Sequence, residues 1–222
     1  MTPTDTHKGH KGMSMEGAVA RWYASTTLKS LQHFRALARR VADELPRGSR
    51  VLEVAPGPGY FAIELAKIGG YSITGLDLSK TFVEIAMRNA AQAGVAVDFQ
   101  RGDASQMPFD DQSFDFLLCR AAFKNFARPV AALYEMYRVL KPGGRALIID
   151  LRKNAPRASI DEAVEEMHLG PVNTFVNKLI FRHFLLKRAY TKEAFEQMTA
   201  RTNFRSIEIL EDRIGLEVSL QK

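Results

Sequence analysis

One cysteine, Cys119, stands in 222 residues. An internal disulfide is therefore excluded, and nothing assigns the chain to an oxidising compartment. Long apolar runs are also missing; none approaches the roughly 20 residues that a membrane-spanning helix needs. The opening MTPTDTHKGHKG lacks the apolar centre of a secretory leader. A cytoplasmic location without a membrane span is the expectation. His7 and His10 in this opening are read as incidental rather than as metal ligands, and no metal centre is expected. No internal repeat is visible.

The composition is that of a soluble globular protein, 46% apolar and 25% charged, long enough for one domain with a substantial core. The net charge is +6. A basic balance can indicate nucleic acid or an anionic membrane, but here the bases are spread along the chain. Their one concentration, RHFLLKR from Arg182 to Arg188, reads as a basic solvated helix face.

Residues 1–13 read as a flexible tail and residues 14–222 as a single domain, with a helical cap over 14–48. Leu28, Leu31, Phe34, Val41 and Leu45 share a helical face, and Pro46 and Gly48 end the pattern. Strands and helices then alternate. Val51–Val54, YSITGLD, VAVDFQ, SFDFLLCR and RALIIDL are the strands, and Ser79 is a candidate N-cap of the second helix between them. This order predicts a doubly wound parallel sheet. Residues 152–190 form a lid or insertion, in which Ser159 and Glu162 make a capping-box signature for a helix starting near Ile160. The alternating SIEIL and GLEVSL close the chain as a hairpin.

The first strand runs into a turn, APGPG, and then a helix start. Such a junction binds polar ligands through close backbone approach and free N–H groups. Gly57, Gly59 and Ala62 fit G-x-G-x-x-A, with Asp77 at the end of the second strand as a ribose acceptor. Taken alone, this pattern also fits an NAD(P)-dependent oxidoreductase. Glu53 discriminates: a carboxylate before the turn repels a pyrophosphate but attracts an ammonium and a sulfonium. S-adenosyl-L-methionine carries both and no phosphate. The alternative is that Glu53 caps the following turn. Asp103 and Ala104, after the third strand, could hold an adenine edge, or Asp103 could form a local Asx turn.

VLEVAPGPG, GLDLS, RGDASQMPF, FDFLLCRAAF and VLKPGG, in this order, resemble the class I S-adenosylmethionine-dependent methyltransferases, in particular the type 11 small-molecule subgroup. The resemblance covers about Arg50 to Leu151. It implies a Rossmann-like, seven-stranded, mostly parallel sheet with helices on both faces and a C-terminal antiparallel hairpin. It implies S-adenosyl-L-methionine as cofactor, a small-molecule methyl acceptor, and S-adenosylhomocysteine as product. By position, Glu53, Ala55, Gly57 and Gly59 hold the methionine end. Asp77 holds the ribose, Leu78 flanks the adenine, Asp103 and Ala104 hold its edge, and Arg120 follows the fourth strand where backbone groups face the cofactor. The chain departs from the family in having Ala55 where glycine is usual, and AAFKNFARP where many relatives carry histidines. A basic nucleic-acid-associated enzyme or binding protein is the remaining alternative, although no Asn/Asp-Pro-Pro-aromatic tetrapeptide occurs.

Methyl transfer needs positioning and desolvation more than a base, and no catalytic residue is assigned. Lys124 and Asn125 either orient an acceptor or end their strand facing solvent. His168 and His183 read as polar helix residues. Trp22 and Tyr23 either close over the cofactor or pack in the core. Phe175, Leu179, Phe181, Phe184, Leu185 and Leu186 are expected to pack on the sheet edge or line an acceptor pocket, with Trp22 in the opposite wall near the cofactor.

Overall fold

A computed structural model describes residues 9–11, 15–166, 170, 174, 178–179, 181 and 185–222. The first helices are α1 (Gly17–Thr27) and α2 (Leu31–Glu44), joined by a 3-10 turn over Leu28–Ser30. The single helical pattern is thus broken. Ser25, Thr26 and Thr27 bond back to the carbonyls of Trp22 and Tyr23, the side-chain competition that bends helices.

There follow β1 (Arg50–Val54), α3 (Tyr60–Ile68), β2 (Ser72–Asp77), α4 (Lys80–Gln92), β3 (Asp98–Arg101), β4 (Phe114–Arg120), α5 (Pro129–Val139) and β5 (Leu140–Leu151). Next come α6 (Arg157–Glu165), a short helical turn Leu186–Arg188, α7 (Lys192–Thr199), β6 (Ser206–Glu211) and β7 (Gly215–Gln221). Ser79 caps α4 as expected, its hydroxyl accepting from the Phe82 N–H. α6 starts earlier than the capping-box signature placed it. Pro156, with its fixed φ of −60°, stands at the N-cap, and no side chain caps the helix.

The strands form one seven-stranded sheet in the order β3-β2-β1-β4-β5-β7-β6. β1 to β5 pair in parallel, and β7 enters antiparallel between β5 and β6. Because successive side chains alternate faces, the central strands feed two cores. Leu52, Val54, Leu117 and Cys119 pack toward α5 and α7. Val51, Phe116 and Leu118 pack toward α2, α3 and α4. Phe61, Phe114, Phe116, Phe123 and Phe195 are each essentially inaccessible, and burying such a side chain stabilises by roughly 1.5–3 kcal/mol. All parallel strands therefore end at one carboxyl edge, where the crevice of such sheets lies.

Candidate functional site

At that edge the chain leaves β1 through Ala55, Gly57 and Gly59, all with positive φ (56°, 55° and 78°). A Cβ on Gly59 would stand 2.6 Å from Phe99 and 3.0 Å from Ala86, so this glycine also permits the close packing of α3 on α4 and β3. Gly57 is open, with only Tyr23 near, 4.0 Å from where a Cβ would be. Its N–H donates to Asp77 Oδ2 at 3.0 Å, and Asp77 Oδ1 accepts from the Ser79 N–H at 2.9 Å. Asp77 thereby ties the glycine turn to the start of α4.

Glu53 lies buried beneath the turn, 3% exposed. Its Oε2 accepts from the N–H of Ala62 at 3.1 Å, within the first turn of α3. The capping contact weighed against a ligand contact is thus present. Burial pushes the Glu53 carboxyl up to about 8, against the pull of the Ala62 N–H and Arg120, with Asp77 adding to the rise. Burial likewise raises Asp77 to about 6, opposed by the Ser79 and Gly57 N–H groups, and Glu16 pushes the same way as burial. Two buried acids therefore share the turn, and burial favours the protonated form of Glu53. Arg120 ends β4 with its guanidinium 4.5 Å from the Phe34 ring centre, and its charge still reaches Glu53.

Asp103 forms the Asx turn: Oδ1 accepts from the Ser105 N–H at 2.8 Å and its hydroxyl at 2.6 Å. Its other oxygen meets the N-terminal segment. A Cβ on Gly9 would stand 2.6 Å from Asp103 Oδ2 and 3.2 Å from Leu78 Cδ2. Ala104 packs against the core beside it, and the Gly102 N–H donates to the Asp77 carbonyl at 2.9 Å. Asp103 and Ala104, expected to hold an adenine edge, thus adjoin Asp77.

Gly9–Lys11 was expected to belong to a flexible tail. Instead the Ala127 N–H donates to Gly9 O, the Lys11 N–H donates to Asn125 O, and His10 bridges Phe126. These bonds bring an imidazole to the turn after β4, where the sequence has no histidine of its own. Burial, then Arg188 and Lys124, lower the His10 pKa, and its Nδ1 is buried without a partner. Further on, Glu16 caps α4 through the Lys80 and Thr81 N–H groups. No pattern in the sequence marks either attachment.

Lys124 takes neither role expected of it. Its Nζ is buried, 2.7 Å from Asp150 Oδ1 and 2.6 Å from the Ala121 carbonyl, while its N–H donates to Asp150 Oδ2. It locks the turn after β4, in which Ala121 has a φ of 58°. Asn125 Oδ1 is buried without a partner. Trp22 is 61% exposed, so it does not pack in the core; its neighbour Tyr23 stands near Gly57 and meets Phe82 edge-on. His7, His168, His183, Phe175 and Phe184 lie outside the described residues. Among the described residues no helix is long and apolar enough to cross a membrane.

Residues 52–148 match the family described as Methyltransferase domain. A demethylmenaquinone methyltransferase of Thermus thermophilus is 34% identical over 152 residues, 68% of this chain and 68% of that protein. One of Deinococcus radiodurans is 39% identical over 117 residues, 52% of this chain and 48% of that protein. The chain thus spans about half the length of that relative. A Methanococcus maripaludis structure, described as a candidate S-adenosyl-L-methionine-dependent methyltransferase, superposes with a TM-score of 0.78 at 22% identity. It covers 96% of this chain and 95% of that one.

Proposed function

The chain belongs to the class I S-adenosylmethionine-dependent methyltransferases, and from that premise we propose that it methylates a small-molecule acceptor. The observation that carries this reading is the buried acid Glu53 beneath a glycine turn that a second buried acid, Asp77, also touches. A pyrophosphate at this turn would face two carboxyl groups in a poorly solvated place. An ammonium and a sulfonium are attracted by the same pair. This disfavours a nicotinamide cofactor and fits S-adenosyl-L-methionine.

In this reading Ala55, Gly57 and Gly59 let the methionine end approach the backbone, with Glu53 supplying the charge. Asp77 accepts the ribose hydroxyls on the lone pairs that Gly57 and Ser79 leave free. Leu78, half-exposed at 38%, supplies an apolar wall for the adenine, and Asp103 and Ala104 hold its edge. Gly9 now lies against Leu78 and Asp103, so an adenine there competes with the N-terminal segment. The bound cofactor supplies an electrophilic methyl group, and the chain's task is to align an acceptor and exclude water. Arg120 ends β4 beside this site, and its charge is felt at Glu53. Lys124 and Asp150 hold the turn against which an acceptor would lie.

The named activity of the Thermus and Deinococcus relatives makes a quinol the first acceptor class to test. Calorimetric titration with S-adenosyl-L-methionine, S-adenosylhomocysteine and NAD(H) tests the cofactor. Saturable binding of the first two and none of the third is expected. Release of S-adenosylhomocysteine with a reduced short-chain naphthoquinone lacking the ring methyl tests the acceptor class. Binding of NAD(H) alone would overturn the reading.

A further inference from the structure

A second concavity lies beyond the turn after β4. It is an open cleft of about 340 Å³ whose lining includes Lys11, Lys153, Lys187, Arg188, Tyr190 and Thr191. Four side chains in this lining are cationic and none is acidic. Among the described residues no carboxylate pairs with any of the four, whereas bases such as Arg35, Arg138, Lys141 and Arg213 all have acid partners. Asp150, three residues before Lys153, is already paired with Lys124, and Glu193 is exposed and engaged with Thr191 at the start of α7. Like charges brought together without compensation repel one another, and a bound anion removes that repulsion.

The cations are held from three parts of the chain. Lys11 Nζ donates to the Tyr190 hydroxyl at 2.6 Å and lies 4.9 Å from the centre of that ring. The Lys153 N–H, just past β5, donates to the Tyr190 carbonyl at 3.0 Å. Lys187 and Arg188 end the short helical turn before it. Tyr190 in turn packs on Phe123, ring centres 5.9 Å apart, in the turn after β4. The cleft therefore lies against the turn after β4, at the carboxyl edge of the sheet. Arg188 is also felt at His10.

We propose that this cleft binds a phosphate or diphosphate group carried by the molecule that the enzyme methylates, an acceptor class other than the phosphate-free quinol that the relatives' names suggest. Four cations match a polyanion better than a single carboxylate, which one arginine or lysine satisfies. Anion binding stands on the cleft alone. Its assignment to the methyl acceptor rests on the methyltransferase reading.

The test is calorimetry on the full chain with inorganic phosphate and diphosphate, against sodium chloride of equal ionic strength, and with S-adenosyl-L-methionine in parallel. Saturable diphosphate binding, tighter than phosphate and weakened about tenfold or more in Lys153→Ala/Arg188→Ala, is expected. Single Lys153→Gln is expected to show an intermediate loss, and S-adenosyl-L-methionine affinity is expected to stay unchanged in both variants. Sedimentation with phosphatidylglycerol vesicles separates the sources of phosphate. Vesicle binding without binding of the free anions would make the cleft a membrane contact and overturn the proposal, as would no anion binding at all. Failure of the wild type to bind S-adenosyl-L-methionine while diphosphate still binds would remove the methyltransferase reading and leave the cleft.

Discussion

The two ends of the carboxyl edge set buried acids against exposed bases. Beneath the β1 turn, Glu53 and Asp77 are buried and fixed by backbone N–H groups. Beyond β5, Lys153, Lys187 and Arg188 line an open cleft with no acid in its wall. The difference teaches what each end can select. Buried acids held by the backbone are preorganised for one cation at one place and are sensitive to its absence, because burial disfavours their charge. Exposed lysines adapt to several anions and are screened by salt. A fixed end suits a constant cofactor and an adaptable end suits a variable acceptor.

The largest expected effect is at the seam between the ends. Lys124→Ala leaves Asp150 buried opposite an empty site, and loss of one member of a buried pair costs about 3–5 kcal/mol. Denaturant unfolding checks it. Lys124→Met/Asp150→Asn, which removes both charges and keeps an acceptor for the Lys124 and Leu151 N–H groups, is expected to recover much of that loss. A Lys124→Ala variant of wild-type stability would mean that the turn after β4 does not depend on the pair.

Next comes the acid end itself. Asp77→Asn keeps one oxygen acceptor but loses the charge and the second acceptor toward Gly57, Ser79 and the ribose. S-adenosyl-L-methionine affinity should fall by about 2–3 kcal/mol, the scale of charged hydrogen bonds. Asn is preferred to Ala here because Ala would also release two backbone donors and confound binding with folding. Wild-type affinity by calorimetry would remove Asp77 from the cofactor site.

Glu53 sharpens the comparison through pH. Its folded value of about 8 lies above the usual 4.5, so the protonated form is the one that folding favours. The associated stability is fully present below about pH 4.5 and is lost as pH rises through 8. Asp77, raised from 3.8 to about 6, has the same sign over a lower window. Glu53→Gln should therefore gain stability relative to wild type as pH rises from 5 toward 9. A cationic ligand reverses the preference by favouring the carboxylate, so binding near pH 7 should release a proton. Calorimetry in two buffers of different ionisation enthalpy reads that proton directly. Binding without proton release would leave Glu53 with its Ala62 capping contact alone.

The acid end was legible in the sequence because its signals are local. A strand period and the glycines of the turn stand within a few residues of Glu53, and Asp77 ends the very next strand. The hairpin of β6 and β7 was legible for the same reason. What remained hidden depends on which face a side chain presents or on distant pairing. Tyr23 rather than Trp22 stands near Gly57, a choice made by the helix's rotation. Lys124 finds Asp150 only because β4 and β5 end side by side. Gly9–Lys11 carries no periodicity, yet its backbone completes the 125–127 segment. That attachment predicts its own small effect. Since Gly9 lies against Leu78 and Asp103, removing residues 1–11 should raise S-adenosyl-L-methionine affinity a few-fold, because a competing state is removed. Weakened binding would instead make the segment a cover that the cofactor needs.

The smallest effect tests the turn between the two acids. Ala55 has a φ of 56°, a region where an L side chain costs roughly 1–2 kcal/mol and glycine costs nothing sterically. Ala55→Gly relieves that strain but loosens the unfolded chain, an entropy term of about 0.5–1 kcal/mol in the other direction. The net gain should be below about 1 kcal/mol, a rise of a few degrees at most in Tm for a domain of this size. Ala55 is partly buried against the core that holds Val54 and Leu76, so its methyl group also contributes packing. That contact trims the gain further without changing the backbone preference. Thermal unfolding at pH 6, where Glu53 is protonated in both proteins, separates the backbone term from the carboxyl. A clear loss of stability in Ala55→Gly would mean that the methyl packing outweighs the strain, and that the alanine is held there by the core rather than tolerated by the turn.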